Sequence, residues 1–379
     1  MSQAFAEFRR SHHWLEHVAL YNVLHEIRGS AWTDWPVEER KPTATHLREL
    51  VELHAGAVAE ASFFQFLAHS QLSRLKDYAN RQGVTLIGDL PIYVDLDSVD
   101  VWLDPDLFDL DENCQPQCVS GVPPDAFTAR GQLWNHPIYR WNMHHRQDYQ
   151  WWIRRLGRCF EQTDIVRIDH FRGFAAYWSV PAGAADAVGG RWVDGPGLPL
   201  FKALERGLGG SLKVIAEDLG YIDEAVRNLK RDTGLPGMCV LAFGFGGASE
   251  GEGDSVHQPE HHPQHAVVYT GTHDNETVVQ WRRNAPAADL VRLSRYFVHE
   301  GLSDQDFAWG FIELAFSSRA QLAVVPLQDF LALDERGRMN TPATEGGNWV
   351  WRAKVGDLSM DLAAAIRSRI QSSGRLPWS

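Results

Sequence analysis

Carboxylates stand at or just past the ends of five short apolar runs in this chain: Asp89, Asp169, Glu217, Asp274 and Asp329. Cleaving an acetal requires one carboxylic acid to protonate the leaving oxygen, and a carboxylate on the other face to attack or stabilise an oxocarbenium-like carbon. Asp169 ends the run DIVRIDH and Glu217 ends the next, VIAEDL. On neighbouring strands the two would point into one mouth, at the separation that suits a retaining mechanism better than an inverting one. A proton donor at Glu217 needs surroundings that raise its pKa. Asp169 must stay ionised, and Arg167, two residues earlier on the same strand face, is placed to keep it so. Acids at strand ends also cap the following helix or bind metals that hold phosphates, and the pair alone leaves those readings open. Its surroundings favour a neutral sugar. VRIDHFRGF sets His170 and a second arginine beside Asp169, and YTGTHDNET presents His273 and Asp274 with two hydroxyls and an amide; neither has the form of a phosphate loop or a metal cage.

The elements that must position these residues are TLIGDL (85–90), DIVRIDH (164–170), LKVIAEDL (212–219), PGMCVLAFG (236–244), HAVVYTGTH (265–273) and QLAVVPLQD (321–329). Continuous apolar runs separated by helix-length segments mark parallel strands buried on both faces. Acids at the C-terminal ends of several strands are what a (β/α)8 barrel uses, whereas a doubly wound sheet gathers its site at one crevice. The expectation is therefore an α/β fold of TIM-barrel type, with six strands visible where eight are required. Residues 1–83 read as a helical segment, with WLEHVALYNVLHEIRG ending in a glycine cap, and 84–379 as the barrel. Within it, 92–163 is too long for a simple connection and rich in Pro, Gly, Asn and Trp, an insertion over the barrel mouth. Of the 15 tryptophans, Trp134, Trp141 and Trp192 fall in such irregular stretches, where an indole either covers core or stacks on the apolar C–H face of a pyranose. GFGGASEGEGDSVHQPEHHPQH reads as a solvated surface loop whose His257, His261, His262 and His265 have no element to fix them as metal ligands.

The 379 residues, 44% hydrophobic and 22% charged, supply a large core. A formal charge of −13 disfavours nucleic acid and anionic membrane surfaces as partners. Cys114, Cys118, Cys159 and Cys239 are too few for a disulfide scaffold and lack the second pair of a zinc site, which reads as free thiols in a reducing compartment. The N-terminus has no apolar leader and no run reaches the roughly 18 apolar residues of a membrane span, so the expected location is the cytoplasm.

GDLPIYV (88–94), IVRIDHFRGF (165–174), IAEDLG (215–220) and YTGTHDN (269–275) resemble the four short regions of the α-amylase clan, in the form taken by the amylomaltase (4-α-glucanotransferase, disproportionating enzyme) family. GVPPDAF, GQLWNHPIYRW, GRWVDGPG, GLPGMCVLAF, RMNTP and GNW extend the likeness over almost the whole chain. The resemblance implies transfer of α-1,4-glucan segments between maltooligosaccharides without a cofactor or metal. It implies Asp169 as nucleophile, Glu217 as acid and then base, and Asp274 as the carboxylate that binds sugar hydroxyls and stabilises the transition state. By the same likeness Arg167, His170 and His273 bond the donor sugar, Asp89 helps hold the mouth, Asp125 and Trp134 belong to a loop over the acceptor, and Asn340 with Pro342 line the cleft farther out. Two departures stand out. Family members carry about a hundred or more residues ahead of the helical segment, holding the first two barrel strands and donor-side aromatics; their absence from this chain accounts for the count of six. Asn135 and His136 stand where the family usually has Gly and Asn, which predicts a differently set acceptor loop. An α-glucan hydrolase, or an inactive glucan-binding fragment, is the rival reading.

Overall fold

The helical pattern of the first 83 residues is realised as helices at Gln3–Ser11, Leu15–Arg28, Val37–Arg40, Ala44–Leu53 and Ala55–Arg81, in a computed structural model that describes residues 3–124, 128–245, 255–344 and 346–375. Asp125 lies outside the described residues. Gly29 ends the second helix as its sequence requires, taking φ 63° and donating its N–H to the His25 carbonyl at 2.9 Å. Phe5 and Phe8 of the first helix pack on Phe63 and Phe66 of the last, with ring centroids 5.3 to 5.5 Å apart. On the same helix Phe64, Leu75 and Tyr78 are exposed.

Ten strands follow among the described residues: β1 (Ile87–Pro91), β2 (Cys118–Val122), β3 (Gln132–Pro137), β4 (Ile165–Asp169), β5 (Ala176–Pro181), β6 (Arg191–Asp194), β7 (Val214–Ala216), β8 (Gly237–Val240), β9 (Ala266–Tyr269) and β10 (Leu322–Val324). Each of the six apolar runs becomes a parallel strand. They lie in chain order, β1-β4-β7 in one sheet and β8-β9-β10 in another. Burial explains the legibility of four of them: Val166, Ile168, Val214, Ile215 and Ala216 are all buried, as are all four residues of β8 and of β9, whereas β1 buries only Leu90 and β10 is half-buried throughout.

The other four strands form an antiparallel sheet, ordered β3-β2-β5-β6, that the apolar runs do not announce. Two come from the 92–163 segment and two from just past β4. Their sequences break short apolar stretches with Ser, Asn, His, Gly and charged residues, and Val119, Val180 and Ala187 make a small buried cluster beneath Leu133, Trp178 and Ala184. At Gly121 a Cβ would meet the Gln132 carbonyl oxygen at 2.5 Å, so the β2–β3 approach at this irregular point in the ladder requires glycine.

The chain divides into two compact units, Met1–Gly234 and Leu235–Ser379. The first holds β1 to β7. The second is built on β8-β9-β10, with Phe245, Val268, Leu293, Phe297, Phe311 and Leu314 in its core. There the stretch from Ser255 to His265 corrects the expectation of a solvated loop. His262 is buried, its Nδ1 2.7 Å from Ser318 Oγ and its Nε2 3.2 Å from the His257 carbonyl, while His257 Nδ1 accepts from the Val240 N–H at 3.1 Å. These histidines tie the segment to β8 and to the helix Phe307–Ser317, a role their crowded sequence conceals. None of the four cysteines, all among the described residues, forms a disulfide.

Candidate active site

Parallel pairing of β1 with β4 sets Asp89 opposite Arg167. Strand period places Arg167 and Asp169 on one face of β4, as the sequence predicts. The buried Arg167 guanidinium uses both: Nη1 donates to Asp89 Oδ1 and Oδ2 at 2.7 and 2.8 Å, and Nη2 donates to Asp169 Oδ1 at 2.8 Å. Burial alone would favour loss of its proton. Asp169, Asp89 and Glu217 outweigh that and hold the guanidinium firmly cationic. Asp169 is thus fixed in direction by a charge-assisted bond, and its ionised form is the one that bond favours.

Glu217 follows β7 directly and is 9% exposed. Burial and the neighbouring Asp169 push its carboxyl up to about 8, against the opposing pull of Arg167 and two backbone N–H groups. Those donors are His170, to Oε2 at 2.7 Å, and Leu219, to Oε1 at 2.9 Å. Glu217 and its neighbours are also pinned by backbone bonds to β4: its own N–H donates to the Ile168 carbonyl, and Phe171 N–H to the Glu217 carbonyl, both at 3.0 Å. His170 can aim its N–H at Glu217 because it sits at φ 54°, a left-handed conformation uncommon for a side-chain-bearing residue. Two carboxyls of one cluster, one ion-paired and one raised by burial, differ in the way that a retaining acetal-cleaving mechanism requires of its nucleophile and its acid.

The His170 ring lies under Trp134, edge to face with centroids 4.7 Å apart. Its Nε2 is buried without a hydrogen-bond partner, and burial with the nearby Arg172 cation lowers the imidazole to about 3, so it is neutral. Trp134 itself comes from β3, with Nε1 donating to Gln132 Oε1 at 3.1 Å. The next residue, Asn135, adopts φ 61°, which glycine takes without strain and asparagine with little, so this departure from the family pattern suits the backbone found there. Of the other two tryptophans singled out, Trp141 packs among Tyr139, His144, Trp152 and Phe174, with centroids 4.8 to 6.2 Å apart, and covers core. Trp192 lies at the surface.

In the second unit His273, Asp274 and Asn340 come together. Asn340 Nδ2 donates to Asp274 Oδ1 at 2.6 Å, His273 Nε2 is 3.4 Å from Asp274 Oδ2, and Asn340 N–H donates to the His273 carbonyl at 3.1 Å. Two residues not anticipated from sequence complete the cluster. Arg338 donates to the Asp274 and Asn340 carbonyls at 3.2 and 3.0 Å, and the Trp349 ring lies 5.0 Å from His273. Trp349 belongs to the GNW motif, the one signal that pointed to it. Pro342 is exposed in the turn beyond. Asp329, the fifth strand-end acid, is buried at 1% exposure and accepts from Thr270 Oγ1 at 2.6 Å and from the Val278 N–H at 2.9 Å, a structural tie between the end of β9 and the helix Val278–Asn284.

Among the described residues, one group of three His, Cys, Asp or Glu side chains has metal-ligand proximity, His12, His69 and Glu161; the Arg158 guanidinium already bonds His69 Nδ1 and Glu161 within it. No described helix is long and apolar enough to cross a membrane.

Comparison with known proteins gives these clusters a family. A 4-alpha-glucanotransferase of Thermus thermophilus is 42% identical over 381 residues, covering 99% of this chain and 75% of that protein. A chloroplastic/amyloplastic 4-alpha-glucanotransferase of Arabidopsis thaliana is 42% identical over 340 residues, covering 89% of this chain and 58% of that one. Among solved structures, an amylomaltase from Streptococcus agalactiae in complex with acarbose superposes with TM-score 0.92 at 33% identity, over 98% of this chain and 74% of that chain. The amylomaltase from Corynebacterium glutamicum, TM-score 0.72 at 17% identity, covering 98% of this chain and 56% of that one, shares the fold. The α/β fold expected from the apolar runs is therefore that of the amylomaltases, a TIM-barrel type. With residues 1–358 also matching the profile described as 4-alpha-glucanotransferase, the chain belongs to glycoside hydrolase family 77, the 4-alpha-glucanotransferases.

Proposed function

We propose that this chain transfers α-1,4-glucan segments between maltooligosaccharides by a retaining double displacement. The observation that carries the reading is the contrast inside one cluster: Glu217, buried and raised to about 8, beside Asp169, ion-paired to Arg167. Glu217 gives its proton to the bridging oxygen as Asp169 attacks the anomeric carbon, the C–O bond breaks, and the reducing-end fragment leaves with the proton. The acceptor's 4-hydroxyl then loses its proton to the Glu217 carboxylate and attacks the same carbon, releasing Asp169 with net retention. Side chains supply every proton and the nucleophile, so the scheme invokes no cofactor or metal.

The remaining assignments rest on the family likeness and on local geometry. Arg167 orients Asp169, with Asp89 holding the other side of its fork. His170 has an unpaired Nε2 that a sugar hydroxyl would satisfy, and Trp134 above it offers a stacking face. Asp274, steadied by Asn340 and His273, is the sugar-hydroxyl carboxylate of its own cluster, with Pro342 beyond it, and Asp125 belongs to the acceptor loop. The hydrolase and inactive-fragment alternatives draw no support from relatives whose names are those of transferases. Four cysteines outside any disulfide favour a reducing compartment, and we assign the cytoplasm on that ground. The test is incubation of the purified chain with maltotriose and separation of products by length. A ladder of longer and shorter glucans supports transfer; glucose and maltose alone mean hydrolysis. Full transfer by Asp169→Asn would remove the nucleophile assignment.

A further inference from the structure

Arg172 carries a charge that the catalytic scheme does not use. It is 4% exposed, and only Nη2 reaches a carboxylate, Asp223 Oδ2 at 2.9 Å; Nε and Nη1 are buried without hydrogen-bond partners. What they have instead is aromatic. The guanidinium carbon lies 3.7 Å from the Trp192 ring centroid and 5.7 Å from that of Tyr221. The two rings are near-parallel, 25° apart in plane with centroids separated by 6.5 Å, so they lie side by side over one cation. With that backing, Trp192 is still 38% exposed and Tyr221 67%.

Exposed aromatics on so much buried scaffolding need a reason, since a lone surface ring needs none but a paired, braced one forms a shaped apolar surface. The bracing is specific. β6 carries Trp192 opposite Trp178 of β5, and a glycine closes each end of the segment. A Cβ at Gly190 would meet Trp178 Nε1 at 2.2 Å, and one at Gly195 would meet the Phe174 carbonyl oxygen at 2.3 Å. Gly195 N–H also donates to the Ala175 carbonyl at 2.8 Å. This accounts for the form of GRWVDGPG and holds Trp192 in place before any ligand arrives, which lowers the ordering cost of binding. Arg172 is three residues past Asp169 and Tyr221 four past Glu217, so the platform stands on the segments that leave the catalytic strands.

We propose that Trp192 and Tyr221, backed by Arg172, form a stacking platform for pyranose rings of an α-1,4-glucan beyond the linkage being cleaved. The proposal rests on the transferase reading for its ligand. It makes long glucans bind better than short ones. The test titrates the full chain, in an Asp169→Asn background that does not turn over, with maltotriose and with maltoheptaose by calorimetry. Tyr221→Ala and Trp192→Ala should each weaken maltoheptaose by about tenfold, while Tyr221→Phe and Trp192→Phe stay within about threefold. Unchanged maltoheptaose affinity in both alanine variants, with native far-UV spectra, overturns the platform. Tyr221 is the more exposed residue, and its variant keeps the test decisive should Trp192→Ala unsettle Arg172. Wild-type product ladders on maltotriose report on transfer separately. A ladder with unaltered affinities removes the platform alone; no ladder with ring-dependent affinity removes the transfer reading and keeps the platform.

Discussion

Glu217, directly after β7, and Asp329, in the short helix Leu327–Phe330 that follows β10, are both buried carboxyls, both raised by burial, to about 8 and about 6. What separates them is the company each keeps. Glu217 has a second carboxylate and a buried cation for neighbours, and its two oxygens accept from two backbone N–H groups. Asp329 accepts from one N–H and one hydroxyl, with no charged group among the causes of its shift. A raised pKa alone marks burial; a raised pKa set against an ion-paired acid marks a site built to move a proton.

The sharpest break in this comparison is the isosteric amide at each position. Glu217→Gln should lower transfer by about a thousandfold or more, since the amide can neither give nor take the proton. It should also lower thermal stability, because Gln has only one acceptor oxygen for two backbone donors, and an unmet buried N–H costs about 1–3 kcal/mol. At Asp329 the amide fits: its oxygen accepts from Val278 and its nitrogen donates to Thr270 Oγ1. Asp329→Asn should therefore stay within about 1 kcal/mol of wild type near neutral pH or exceed it, and keep its activity. Asp329→Ala, which strands the Thr270 hydroxyl and the Val278 N–H beside a cavity, should cost about 3 kcal/mol. Denaturant melts and product ladders on the four proteins read all of this. A dead Asp329→Asn would mean that Asp329 also takes part in the reaction and is not purely structural.

Sequence reading reached β4, β7, β8 and β9 because burial on both faces leaves an apolar run, reached the less buried β1 and β10 through the same run pattern, and reached Arg167 because strand period is fixed. From strand position alone it could not separate Asp329 from the acids proposed as catalytic; only the family resemblance left it out. Thr270 and Val278, which make Asp329 structural, lie more than 50 residues away in sequence, and an acid after a strand looks the same whichever way its neighbours fold. The antiparallel sheet was hidden for a different reason: none of its strands buries more than two apolar residues and β6 buries none, too few for a period to register. Likewise Arg172 and Trp192 stand in two separate motifs and Tyr221 just past a third, and only the folded chain stacks them. The histidines near residue 260 looked like solvated loop because four of them crowd a polar stretch, yet His262 is core.

Linkage offers a smaller contrast at Asp329. An aspartate titrates at about 3.9 when unfolded, and the folded group at about 6, so between these values the folded state binds the extra proton. Stability from this group is full below about pH 4 and is lost as pH rises through 6, by about 2–3 kcal/mol for the whole shift. Asp329→Asn lacks that decline, so its advantage over wild type should grow from pH 4 to pH 6 and then level off. A difference that stays flat across this window would mean the carboxyl is not held protonated by burial.

At Glu217 the same direction of shift has a catalytic reading. The first step needs the proton in place, and a group raised to about 8 keeps it through neutral pH and gives it up above. The basic limb of kcat/KM for transfer should therefore bend near 8 and fall about tenfold per pH unit beyond it. Arg167 is one of the groups that pull Glu217 down, and it does so as a fixed cation held by Asp89 and Asp169. Arg167→Lys keeps the charge but cannot fork between two carboxylates, so it should lower kcat while moving this limb little; Arg167→Met removes the charge and should move the limb upward. If the lysine variant shifted the limb as far as methionine does, the geometry of the fork and not its charge would be what sets the acid.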